Sequence, residues 1–159
     1  MSGPDPELQS ERRREAARWC AVASEDARVA RVCLEMPQPA PGIAAYHCQQ
    51  AAEKLTKGRL ILAGAAFRRP HDLTELSGLA ATYDPDLRPW LESTASLTIW
   101  STAYRYPGIE ELAEPEPDAG SLQSALSTIG QLATQMEKLI SANGEGDAAG
   151  GISPEAPSA

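Results

Sequence analysis

The chain is short of the residues that build large sheets and dry aromatic cores. It has one Phe, three Trp and four Tyr in 159 residues, and Val and Ile are sparse. A broad β-sheet core is hard to assemble from that supply. No apolar run approaches the roughly 18 residues that a membrane span needs. The start, "MSGPDPELQSERRREAARW", has no hydrophobic stretch of the kind a secretory signal uses, so a cytoplasmic setting is expected. The three cysteines, Cys20, Cys33 and Cys48, never fall in C-x-x-C spacing, and the two histidines, His47 and His71, add no metal-ligand spacing to them. That excludes the usual zinc and redox arrangements. All three thiols are expected to be small buried side chains in a reducing compartment. Positive charge is also short. The formal net charge is −8, which disfavours broad affinity for a phosphate backbone. The stretch Arg12–Arg18 is the one place where RNA could be touched locally, although its plainer reading is a solvated helix end.

What the chain does have is alanine, in helical register. Residues 1–6 (MSGPDP) carry Pro and Gly and are expected to be loose. From about Glu7, Ala16, Cys20, Ala23, Ala27, Ala30 and Leu34 step by four and three along one face. "MPQPAPG" breaks that helix with three prolines. A second helix is expected from about Ile43 to Phe67, with Ala44, Cys48, Ala51, Leu55 and Leu62 on one side. Asp72 is a plausible N-cap, with Glu75 three residues on, and a short helix follows over about 73–81. A fourth is expected over 86–104, carrying Leu87, Leu91, Thr94, Leu97, Ser101 and Tyr104. "IEELAEPEPDAG" is an acidic connector. The fifth runs from about Ser121 to Ile140, with Leu122, Leu126, Ile129, Ala133, Met136 and Ile140 in step. The tail 141–159 has almost nothing to bury, and disorder is expected there. The expectation is an all-α, up-and-down bundle over 7–140, of four long helices and one short one.

The second helix poses the functional question. In "AAYHCQQAAEKLTKGRL", His47, Gln50, Lys54 and Lys57 are spaced by three, four and three. They therefore share a strip beside the apolar face, while Gln49 and Glu53 point further round. Such a strip can hold a phosphate or carboxylate, or it is simply the solvated side of an amphipathic helix. "RRPHDL" adds Arg68, Arg69, His71 and Asp72, where Arg68 and Asp72 suit a helix cap with an exposed arginine. "AYRYPG" adds Tyr104 and Arg105 at a helix end, where Arg105 either binds a ligand or complements the helix dipole.

"AAYHCQQAAEKLTKGRLILAGAAFRRPHDLTEL" resembles the central segment of HEPN-domain proteins. In those, a helix reading roughly F-H-x-Q-Q-A-x-E-K-x-x-K is followed by a short loop and H-D-L. "YRYPG" is similar to a signature found late in the same domain. Asp26 on the first helix, the His-Gln-Gln-Glu-Lys helix, His-Asp-Leu and Arg-Tyr-Pro come in the family's order, over about residues 10–140. The resemblance implies a helical bundle, often dimeric, in bacteria and archaea. It implies a minimal nucleotidyltransferase as partner in toxin–antitoxin-like pairs, and a nucleotide as ligand. It also raises metal-independent RNase activity, whose motif is an arginine, four to six residues, then a histidine, at a cleft between two protomers. Here residues 40–42 before His47 read Ala-Pro-Gly, and residues 64–66 before His71 read Gly-Ala-Ala. After Arg105 comes "YPGIEELAEP". The motif is absent, so no catalytic residue is assigned and no enzyme is expected.

The expected nucleotide-binding set is His47, Gln50, Lys54, His71, Tyr104 and Arg105, with Arg105 and Lys54 toward phosphate. Asp26 and Glu53 can pair with those bases instead and form a structural ion network that fixes helix register. The expected partners are a nucleotide, a minimal nucleotidyltransferase and a second copy of the chain. No cofactor, metal or membrane is expected. The remaining readings are an RNase toxin with a degenerate site and a purely structural helical adaptor.

Overall fold

The structure is a computed structural model. It describes residues 3–67, 72–101 and 116–148, with side chains to residue 142. Five helices make up the bundle: α1 (Pro6–Glu35), α2 (Pro41–Ala63), α3 (Leu73–Tyr83), α4 (Arg88–Ala95) and α5 (Ala119–Ala148). Two 3₁₀ segments, Pro85–Leu87 and Ser96–Ser101, flank α4. No strand occurs among the described residues.

Local chemistry sets each boundary. Pro6 opens α1, where its missing N–H costs nothing, and Asp5 caps it by accepting from the Glu7 amide at 3.0 Å. Pro41 does the same for α2. That helix stops at Ala63, four residues short of its expected end at Phe67. Gly64 adopts φ 70°. Its amide donates to Ile61 O and that of Ala65 to Leu60 O, both at 2.9 Å, which is a Schellman ending that only a residue without Cβ forms easily. Asp72 caps α3 as its spacing suggested, its Oδ1 accepting from the Thr74 amide at 2.8 Å. Asp118 caps α5, its Oδ1 accepting from the Ser121 amide at 2.7 Å. That bond holds the Asp118 carboxyl below its ordinary pKa.

Two further helices differ from their expected lengths. The fourth stays α-helical only to Ala95 and then tightens to 3₁₀ as far as Ser101. Its hydroxyls explain this. Thr94, Ser96, Thr98 and Ser101 each donate to a carbonyl three residues back, and such bonds compete with the regular ladder. The fifth begins at Ala119 and continues to Ala148, past the expected end at Ile140.

α2 is the hub. It packs against α1, α3, α4, α5 and the Ser96–Ser101 segment. Against α1 the contact is between small residues: Ala16, Ala23, Ala27 and Ala30 on one side, Ala44, Ala45, Ala51 and Ala52 on the other, all buried. A Cβ on Gly58 would sit 3.5 Å from the Ala16 carbonyl oxygen and 3.6 Å from Cys20 Sγ, which marks how closely the two helices cross. The other half of the core is leucine-rich, with Leu55, Leu60, Leu73, Leu91, Leu122, Ile129, Leu132 and Met136.

Candidate functional site

Because α2 is surrounded, its polar residues are not on a wet side. Only Ile43 of the whole helix is exposed. The solvated-strip reading therefore fails, and the reason is position: a helix in the middle of a bundle has no outward face on which to put polar groups. They are instead paired.

Two clusters result. In the first, Asp26 reaches across from α1 and takes two partners from α2. Its Oδ1 lies 2.9 Å from His47 Nδ1, and its Oδ2 accepts from Lys54 Nζ. Asp26 is 12 % exposed, His47 24 % and Lys54 22 % at the side chain, so the cluster sits at the rim of the α1–α2 seam with an opening to solvent. A carboxylate can only accept, so the Nδ1 facing it carries the ring proton. In the neutral ring that leaves Nε2 as an acceptor. The Tyr46 ring stands edge-on to His47, centroids 5.3 Å apart.

The second cluster lies deeper. Glu53 accepts from Lys57 Nζ through Oε1 and from Gln49 Nε2 at 2.9 Å through Oε2. Gln49 Oε1 in turn accepts from Gln50 Nε2 at 2.8 Å. The Lys57 ammonium lies 5.5 Å from the centre of the Trp19 ring, a cation–π contact. Trp19 Nε1 donates to Glu15 at 3.0 Å, and Glu15 also takes the Arg18 guanidinium. The bonds from Arg18, then from Trp19, hold the Glu15 carboxyl below its ordinary pKa. Gln49 and Lys57 are both buried.

The expected set is thus divided. His47 and Lys54 come together, on Asp26 as the ion-network reading has it. Gln50 turns away toward Gln49. Glu53 pairs with Lys57 rather than with Lys54 or His47. His71, Tyr104 and Arg105 lie outside the described residues, as do Arg68 and Arg69. Sequence reasoning set Gln49 and Glu53 further round the helix, away from the strip. The signal for the deeper cluster was available in the four-residue steps Gln49–Glu53–Lys57, the spacing at which helical side chains meet.

Two of the thiols are held in the protonated form. Burial pushes Cys48 up to about 12 and Cys20 up to about 11, the latter helped by the charge of Glu137. All three cysteines are free, and Cys20 is only half-buried, contrary to expectation. It borders a groove of about 270 Å³ between α1 and α5, where it is not fully covered. No helix among the described residues is long and apolar enough to cross a membrane.

Comparison with curated proteins and with solved structures gives no match. The family model described as HEPN domain matches residues 16–139, a span that begins in α1, ends in α5 and takes in both polar clusters but for Glu15. The chain belongs to the HEPN family, and that membership supports a nucleotide-binding or RNase-related module.

Proposed function

We propose that the chain is a non-catalytic binding module that takes a nucleotide at the rim of the α1–α2 seam. It self-associates and works beside a minimal nucleotidyltransferase. The observation that carries the ligand reading is Asp26 holding His47 and Lys54 together where the packed helix α2 reaches solvent. Three charged or polar groups at one rim are costly to maintain in a small bundle, and two of them keep hydrogen-bonding capacity that Asp26 does not take up. His47 Nε2 offers an acceptor for a sugar hydroxyl or an exocyclic amine, and the Lys54 ammonium keeps two of its three donors for phosphate. Arg105, His71 and Tyr104 complete the site in this reading.

Calorimetric titration with ATP, GTP and UTP tests it. The expected result is saturable heat from at least one of them, weakened about tenfold or more by His47→Ala, with the melting temperature of the variant recorded alongside. No heat from any of the three overturns it.

A second reading, a metal-independent RNase, is favoured by one contact. A carboxylate on Nδ1 orients an imidazole so that Nε2 can take a proton from a ribose 2′-hydroxyl. Incubation with RNA in the presence of a chelator separates the two. Cleavage lost in His47→Ala supports the nuclease, and intact RNA leaves the binding module.

A further inference from the structure

The deeper cluster has a direction. Lys57 Nζ donates to Glu53 Oε1, Gln49 Nε2 donates to Glu53 Oε2 at 2.9 Å, and Gln50 Nε2 donates to Gln49 Oε1 at 2.8 Å. A free amide presents either end to a neighbour, but an ammonium only donates and a carboxylate only accepts. Neither member of the ion pair can therefore reverse its role. Gln49 has to give its nitrogen to Glu53, which leaves its oxygen for the next side chain. Gln50 then has to give its nitrogen to Gln49. The direction is set at Lys57, buried beside the Trp19 ring of α1. It is delivered at Gln50, about 10 Å along the helix.

What reaches the rim is an oxygen. Gln50 stands three residues after His47 and four before Lys54, so it is the middle member of the strip they form. It is partly exposed, and its Oε1 takes no donor from the described residues. His47 gives Nδ1 to Asp26, so the ring nitrogen it has left, Nε2, is an acceptor as well.

We infer that the Lys57–Glu53 pair acts as a polarity clamp on the rim: it holds Gln50 as an acceptor, so that the site takes nucleotides whose base carries an exocyclic amino group and rejects uracil. This deepens the nucleotide reading above and rests on it. An amino group brings two hydrogens to the two acceptors on Gln50 and His47. Uracil brings carbonyl oxygens with a single N–H between them, and an oxygen set against Gln50 Oε1 leaves both without a donor. The Lys54 ammonium serves the phosphates with either base. Gln50 and Lys57 are positioning residues for specificity here. A network that only fixed helix register would treat cytosine and uracil alike.

CTP and UTP are the test pair, because they share size, sugar and phosphates and differ only along one ring edge. Calorimetric titration of the full chain is expected to give CTP a dissociation constant at least about tenfold below that of UTP. ATP should likewise bind at least about tenfold more tightly than inosine triphosphate, in which a carbonyl replaces the amine. In the double variant Glu53→Gln with Lys57→Met both amides are free to turn, and the CTP-to-UTP ratio falls to within about threefold while CTP still binds. Gln50→Met removes the acceptor itself, from a partly exposed position, and lowers the ratio in the same way. Equal binding of CTP and UTP by the wild-type chain overturns the clamp and leaves nucleotide binding standing. A folded double variant that keeps the full ratio also overturns it. Heat from no nucleotide overturns both readings. If the double variant does not fold, Gln50→Met decides, and an unchanged ratio there overturns the proposal.

Discussion

Helices α2 and α5 are both long, and their sequences look alike in hydrophobic spacing, yet they solve opposite problems. α5 lies at the edge. Leu122, Ala125, Leu126, Ile129, Leu132 and Met136 are buried, while Gln123, Ser124, Gln131 and Glu137 face out. Its stripe is a plain record of which side touches the core. α2 lies in the middle, and its polar residues meet other residues instead of water. The same periodicity thus means solvent on one helix and a paired interior on the other. The difference is the number of neighbours, which a single helix's own pattern does not encode.

The sharpest way to break the comparison is to unpair α2. Glu53→Ala leaves the Lys57 ammonium, only 7 % exposed at its side chain, without its carboxylate. A loss of about 3 kcal/mol or more is expected in urea unfolding, whereas Glu137→Ala on the outer side of α5 should change little. Replacing Glu53 and Lys57 together by Gln and Met should restore most of the loss. Second in size is the apolar counterpart on α5. Leu132→Ala opens a cavity at a site 1 % exposed and should cost about 3 kcal/mol by the same measurement.

Glycines sharpen it further. Gly64→Ala forces a side chain into the left-handed conformation that ends α2, at a cost of about 1–2 kcal/mol. Its Cβ would also meet the Arg12 guanidinium, but that is the far end of a flexible side chain and can swing away. Gly130→Ala on α5 has no atom within 4 Å of the added Cβ. It should stabilise by about 0.8 kcal/mol and raise the melting temperature.

One further effect appears only in alkali. The Cys48 thiol rises from 9.0 to about 12 in the fold. Above pH 9.0 the unfolded chain loses the proton that the folded chain keeps, so raising the pH draws the equilibrium toward unfolding. The urea midpoint should fall on going from about pH 8 to about pH 10, and Cys48→Ala should flatten that slope.

Much of the architecture was legible. Prolines at 37, 39 and 41 separate α1 from α2, Asp72 announces α3, and the steps of four and three in α1 and α5 place their buried faces. Gly64 was harder, because Ala65, Ala66 and Phe67 keep the apolar texture going after the backbone has turned. The hydroxyl run from Ser93 to Ser101 hid the change to 3₁₀, since Leu97 and Ser101 still fall in helical step with Leu91 and Thr94. Of the site, Asp26 with His47 and Lys54 could be suspected from the family order of residues. The last step of the deeper cluster, from Lys57 to Trp19, could not, because it depends on α1 passing within reach of that side of α2.

The central placement of α2 also governs how the chain comes apart. A helix gripped by every other one has no private opening motion, so its amides exchange with solvent only when the whole bundle dissolves. Deuterium should enter residues 51–62 last and at one common rate, and the outer turns of α5 well before them. A molecule seated at the rim would therefore slow exchange throughout the chain rather than in its own neighbourhood alone.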